Sequence, residues 1–181
     1  MINKNRLIKL TQSLIRINSE NPNGNEYEIA RWVKHYLERI GIPARLYEFR
    51  PKRTNVLATV LGKDKTKSLL ITPHLDTVPA GTAWKNDPFE ARIKGNKMYG
   101  LGTTDCKGNL ACALEVIQSL VEEKIKLGYE LVFAATANEE SGSEFGLIGL
   151  LDKGILKPTV AVVLDADDFE VVVTQKGLMH L

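Results

Sequence analysis

Two cysteines, three histidines and no long apolar run are the first constraints this sequence sets. Cys106 and Cys112 lie six residues apart in a helical pattern, which turns them to different faces and leaves no disulfide framework. No stretch approaches the roughly 18 apolar residues of a membrane-spanning helix, and the N-terminus lacks a charged segment followed by an apolar one. Those absences predict a cytoplasmic chain with no membrane role. Excess charge of one sign is lacking too. The 24 Lys and Arg against 22 Asp and Glu leave a net charge of +2, too small to argue for nucleic acid. The densest basic cluster, Arg50 to Arg53 with Lys63, Lys65 and Lys67, reads as a solvated, turn-rich loop. There is no internal repeat and no low-complexity segment.

What is present suits one soluble globular core: 181 residues, 44% apolar and 25% charged, as in ordinary α/β domains. Apolar residues at mixed three and four spacing predict an amphipathic helix over 5–17. A second helix runs to Ile40, with Asn25 as N-cap, Glu28 completing a capping box and Gly41 as the stop. Strand-like runs follow at 44–49, 55–61 and 69–71, then a hairpin over 89–99 around Gly95-Asn96. A helix over 108–124, a strand over 129–137, a short helix over 144–153 and a strand over 159–164 complete the alternation, and Val171 to Thr174 starts another strand. Strands apolar on both faces that alternate with helices predict an α/β fold: a mainly parallel twisted sheet with helices on both faces.

In such sheets ligands gather beyond the carboxyl ends of the strands. The run from Ser68 carries His74 and Asp76, which share a face of extended backbone because they are two residues apart. Glu139-Glu140 follows the next apolar strand, Asp165 the one after, and Asp105 enters at a loop-to-helix junction. Singly, each has an ordinary reading: a loop histidine capped by its neighbour, a solvated acidic pair, an N-cap. His35, on an amphipathic helix, and His180, in a terminal strand pattern, read as structural. Jointly, these groups recur at one edge of one sheet. Carboxylates with one imidazole suit zinc, manganese or cobalt. The donors exceed what one zinc ion needs, which favours two ions about 3.5–4 Å apart bridged by a carboxylate. One of the adjacent glutamates is then free to be a general base while the other is a ligand.

The motifs His74-Leu-Asp76 with Val78-Pro79, Gly100-x-Gly-x-x-Asp105 with Lys107-Gly108, and Glu139-Glu140 followed by Gly142 resemble those of the co-catalytic zinc aminoacylase and exopeptidase family. That family includes acetylornithine deacetylase, succinyl-diaminopimelate desuccinylase, aminoacylase and glutamate carboxypeptidases. Trp84 to Phe89 is similar to its loop before the hairpin, and the match runs over nearly the whole chain. The resemblance implies a zinc-exopeptidase-like fold holding two divalent ions, zinc foremost, with His74 and Asp165 on one metal, Glu140 on the other and Asp105 bridging. It makes Asp76 the orienter of His74 and Glu139 the general base and acid. Asp165 is placed by counting back from Lys176-Gly177, with Asp167 as the alternative. A cis peptide between Asp105 and Cys106 is implied as well.

The substrate implied is an N-acyl amino acid or a short peptide, cleaved at an amide; a dipeptidase or carboxypeptidase of the same family, or a non-catalytic domain that keeps the fold, are the alternatives. Family members complete the second metal with a histidine from a later segment, beyond an inserted lid that carries the homodimer contact. The expectation is that residues 1–175 are the N-terminal part of the catalytic domain and 176–181 the entry to that lid, with His180 a lid residue and the remainder absent.

Overall fold

The computed structural model describes residues 1–22, 24–165 and 171–174. Two helices come first, α1 (Lys4–Ile15) and α2 (Glu26–Arg39). Asn3 caps α1, its side chain accepting the Arg6 N–H at 3.0 Å. Gly41 ends α2 at a φ of 87°, where its N–H reaches Glu38 and that of Ile42 reaches Leu37. The capping box does not form: Asn25 makes no side-chain cap bond, and Glu28 is exposed. Glu26 is instead drawn inward to a buried arginine described below.

The five-stranded sheet has the order β1-β2-β5-β3-β6, where β1 is Ala44–Arg50, β2 Arg53–Val60, β3 Gly62–Thr72, β5 Leu127–Ala135 and β6 Val160–Val163. A short separate segment β4a/β4b, Arg92–Lys94 and Lys97–Tyr99, forms the hairpin expected around Gly95-Asn96. Strand β2 alone runs against the others, so the sheet is mixed but mostly parallel. The crossover from β3 to β5 is α3 (Lys107–Glu122), and that from β5 to β6 contains a turn at Glu139–Ser141 and α4 (Leu147–Asp152).

Helices α1, α2 and α3 cover one face, where Leu14, Ile29, Val33, Leu37, Leu110, Leu114 and Ile117 pack on Val56 and Phe133. At about 1.5–3 kcal/mol for each fully buried large apolar side chain, this layer is the main stabilising element. The other face is thinner. A small cluster of Leu70, Ala134, Leu150 and Leu156 carries α4, and beside it a groove of about 750 Å³ opens over Tyr47, Leu57 and Val132. Among the described residues no helix is long and apolar enough to cross a membrane, and both cysteines are free.

Three further sequence expectations change. Strand β3 begins seven residues before Leu69, because Gly62 and Asp64 pair with β5 at Leu127 and Tyr129, while Lys65 to Lys67 fall in an irregularity where the register shifts between Asp64 and Ser68. Arg53 is buried at the head of β2 and not solvated. Val171 to Thr174 is not a strand: Val171 and Val173 are more than four-fifths exposed, and among the described residues no strand pairs with this run. Asp167, Lys176, Gly177 and His180, with the segment 176–181, lie outside the described residues.

Candidate metal centre

The carboxyl ends of β3, β5 and β6 deliver the site. Beyond Thr72 the chain stays beside β5 through a bridge between His74 and Thr136, with Leu75 N–H donating to Thr136 O at 2.8 Å. His74 is thereby buried at 3% exposure with its ring aimed past the strand end. Its Nδ1 lies 3.0 Å from the main-chain oxygen of Asp76 and 3.5 Å from Asp76 Oδ1. A carbonyl oxygen can only accept, so Nδ1 carries the hydrogen and Nε2 faces the cleft. There it lies 2.7 Å from Asp105 Oδ1, 3.5 Å from Asp165 Oδ1 and 4.0 Å from Glu139 Oε2.

Asp105 sits before α3, and its peptide to Cys106 is cis, as the resemblance implied. Asp165 is brought in from β6 by Leu164, whose N–H donates to Thr72 O at 3.1 Å and whose oxygen accepts from Cys106 Sγ and Asn109 Nδ2, each at 3.0 Å. Glu139 and Glu140 leave a tight turn that follows Asn138, a non-glycine residue with a φ of 64°. Glu140 Oε1 accepts the Val78 N–H at 3.1 Å, while Glu139 leans toward His74. The two neighbours thus point at different groups.

Asp76 is fully buried and ionised. Burial opposes its charge, but His74 and the Glu139 and Glu140 N–H groups, at 3.1 and 3.0 Å, hold its carboxyl below the usual range. Its main-chain oxygen, more than its carboxylate, fixes the imidazole; the carboxylate fixes the glutamate turn. Spacing in the sequence places only the histidine under its control.

His74, Asp105 and Glu140 offer ligand atoms within 4.8 Å of one another, and so do His74, Cys106 and Asp165. Cys106 is the poorer donor of these, since burial pushes its thiol up to about 11 and its hydrogen is used on Leu164. Electrostatics gives the test of fit. Burial alone would keep the His74 ring neutral, yet Asp105, Asp165 and Asp76 hold it protonated far above the imidazole range. Glu139 and Glu140 are pushed up by burial and then by neighbouring carboxylates. Four acidic side chains around one imidazole nitrogen are an excess of negative charge that divalent cations would neutralise, and an oxygen-rich set with one nitrogen fits zinc, manganese or cobalt.

The sequence profile of peptidase family M20/M25/M40 matches residues 70–180 of the chain. The chain belongs to the M20/M25/M40 peptidase family. The match begins near the end of β3, four residues before His74, and takes in every candidate site residue. Over 162 residues the chain is 37% identical to an uncharacterized metallohydrolase of Methanocaldococcus jannaschii, covering 80% of this chain and 39% of that protein. It is 30% identical over 173 residues to N-formyl-4-amino-5-aminomethyl-2-methylpyrimidine deformylase of Bacillus subtilis, covering 93% of this chain and 40% of that one. Among solved structures, the M20 family metallo-carboxypeptidase of Sulfolobus solfataricus superposes with a TM-score of 0.78 at 25% identity, covering 88% of this chain and 37% of that chain. The chain therefore spans about two fifths of the length of these M20 relatives.

Residue types alone did not mark Asn21, Glu26, Arg53, Asn55 and Asn138. All five are buried within the shell behind the site. Asn55 donates to Phe145 O at 2.8 Å and accepts the Ala137 N–H at 2.9 Å, so it braces both ends of the turn that carries the glutamates. The one local signal is the polar run Arg53-Thr54-Asn55 opening an otherwise apolar strand.

Proposed function

We propose that the protein is a metal-dependent hydrolase that cleaves the amide bond of an N-acyl amino acid, deacetylase- or desuccinylase-like, or of a short peptide. The convergence of His74, Asp105, Glu139, Glu140 and Asp165 on one cleft at the strand ends carries this reading. Membership of a peptidase family, a deformylase among the relatives and a carboxypeptidase among the structural neighbours support it, since all three names denote hydrolysis of an amide-type bond.

His74 and Asp165 would hold one divalent ion and Glu140 the other, with Asp105 between them; zinc is the ion favoured. Such ions supply Lewis acidity to a substrate carbonyl and make a water acidic enough to lose a proton near neutral pH. Asp76 keeps the His74 ring turned so that Nε2 is presented to the cleft. Glu139, half-buried and, among the described residues, not committed to a main-chain donor, removes the proton of the attacking water and delivers it to the departing amine nitrogen. The same reading makes the full-length protein a homodimer through a lid region, which light scattering tests; a monomer mass would contradict it.

The experiment is turnover by the full-length protein of a panel of N-acyl amino acids and short peptides, before and after metal removal, with zinc or cobalt restored. Cleavage that disappears on chelation and returns with metal is expected. Two bound ions with no amide cleaved across the panel would contradict the hydrolase reading.

A further inference from the structure

Three consecutive main-chain N–H groups, those of Asn138, Glu139 and Glu140, are captured by two buried carboxylates. Asn138 N–H donates to Glu26 Oε1 at 3.1 Å, Glu139 N–H to Asp76 Oδ1 at 3.1 Å and Glu140 N–H to Asp76 Oδ2 at 3.0 Å. The two carboxylates are themselves tied together. Asn21 Nδ2 donates to Asp76 Oδ2. Arg53 Nη1 donates at 2.6 Å both to Asn21 Oδ1 and to Glu26 Oε1. The bonds close into a ring: Asp76, Asn21, Arg53, Glu26, the Asn138 amide, and back through the glutamate turn to Asp76. Every side chain in it is less than a tenth exposed.

Each connection has a structural reason. The segment around Asn21 lies against the residues after β3, with Asn21 N–H donating to Thr77 O at 2.8 Å and Thr77 N–H to Ser19 O at 3.1 Å. Arg53 Nη2 donates to Pro22 O at 3.1 Å, so the guanidinium fork spans the loop and the start of α2. A lysine has no second arm with which to do this. None of Asn21, Glu26 and Arg53 has a polar atom on the cleft groups His74, Asp105 or Asp165 in these contacts; all reach the site through Asp76 or through the turn.

We propose that Asn21, Glu26 and Arg53 are positioning residues that fix the Glu139–Glu140 turn against His74, and so set the metal affinity of the centre. The inference rests on the metal-dependent reading given above. It assigns a role to a basic residue that composition placed in a solvated loop, and to a loop between helices with no chemistry of its own. A ligand held by its main chain to a rigid ring approaches the ion already ordered, whereas a ligand on a loosened turn must be ordered on binding.

The test uses the full-length protein freed of metal and titrated with cobalt, reading the visible d–d absorption, with circular dichroism fixing the folded fraction. Asn21→Ala and Glu26→Ala are expected to weaken cobalt binding about 10- to 100-fold, the range for removing a partner that orients a ligand. Glu26→Gln keeps an oxygen for the Asn138 N–H and for Arg53, and is expected to bind cobalt within about threefold of the unaltered protein while losing stability for want of the Arg53 counter-charge. A purely structural ring predicts a different pattern, in which all three variants lose stability and none changes the affinity of the folded fraction. That result would overturn the proposal and leave the hydrolase reading standing. No cobalt uptake by the unaltered protein would overturn both. Should Glu26→Ala fail to fold, Asn21→Ala and Glu26→Gln still decide.

Discussion

Glu139 and Glu140 share a turn, a half-buried environment and an upward push on their carboxyl groups, yet among the described residues only Glu140 accepts a main-chain hydrogen in the cleft. On the proposed reading, that asymmetry makes Glu140 a ligand and Glu139 the proton carrier. Replacing Glu139 with Gln keeps size and removes the base, so kcat is expected to fall about 100- to 10,000-fold while cobalt titration remains near that of the unaltered protein. Loss of cobalt binding in Glu139→Gln would place Glu139 among the ligands instead. At this scale the sequence was readable wherever a residue type is rare and its neighbours are constrained, as with His74 two residues before Asp76 or Asp105 after spaced glycines. Arg53 was misread because its burial depends on Glu26 and Asn21, distant in the chain, and nothing in a run of basic residues announces that one of them turns inward. Asp76 was half read: its link to His74 follows from spacing, its hold on the glutamate amides only from folding.

Elements place these side chains through close backbone approaches. Gly108, in the first turn of α3, would bring an added Cβ to 2.2 Å from Thr103 O, so Gly108→Ala must move the loop that carries Asp105. The expected cost is about 1–3 kcal/mol, measured from the urea midpoint, together with weaker cobalt binding; an unchanged midpoint would mean the loop has room to shift. Helix α3 is tied to α1 by Arg6, which meets the nearly fully buried Glu115 at 2.6 Å, with Asn3 N–H donating to the same carboxylate at 2.6 Å. Burial opposes the Glu115 charge, but these partners win and hold its carboxyl below the ordinary value of 4.5. A carboxyl lowered in the folded state contributes stability that is complete above the unfolded value and lost as pH falls through the folded one. Glu115→Gln is therefore expected to be less stable than the unaltered protein at pH 7, with the difference shrinking below about pH 4.5. A difference that grows with acid would refute this. Helix periods and apolar strands were legible in the pattern, as α2 and β5 illustrate. The polar half of β3 was not, because its pairing with β5 comes from main-chain bonds that alternate lysines do not reveal.

At the scale of the molecule, a mostly parallel sheet gathers three strand ends into one cleft, and one face carries most of the buried apolar surface. Phe133, fully buried at the centre of that face, is the residue whose truncation should cost most: Phe133→Ala is expected to lose about 3–5 kcal/mol, read from denaturant unfolding. A loss under about 1 kcal/mol would mean the helical layer is not the main support. The fold class was legible because buried parallel strands and covering helices leave distinct periods. The thinner second face was not, since strands that alternate with helices predict cover on both sides without saying how much.

A metal-dependent hydrolase at this cleft requires divalent ions among these carboxylates. Crystals of the full-length protein grown with zinc, measured at the zinc absorption edge, test this directly. Two anomalous peaks about 3.5–4 Å apart are expected, one within about 2.1 Å of His74 Nε2 and both in reach of Asp105. Zinc bound in stoichiometric amount but away from His74, Asp105 and Glu140 would contradict the account.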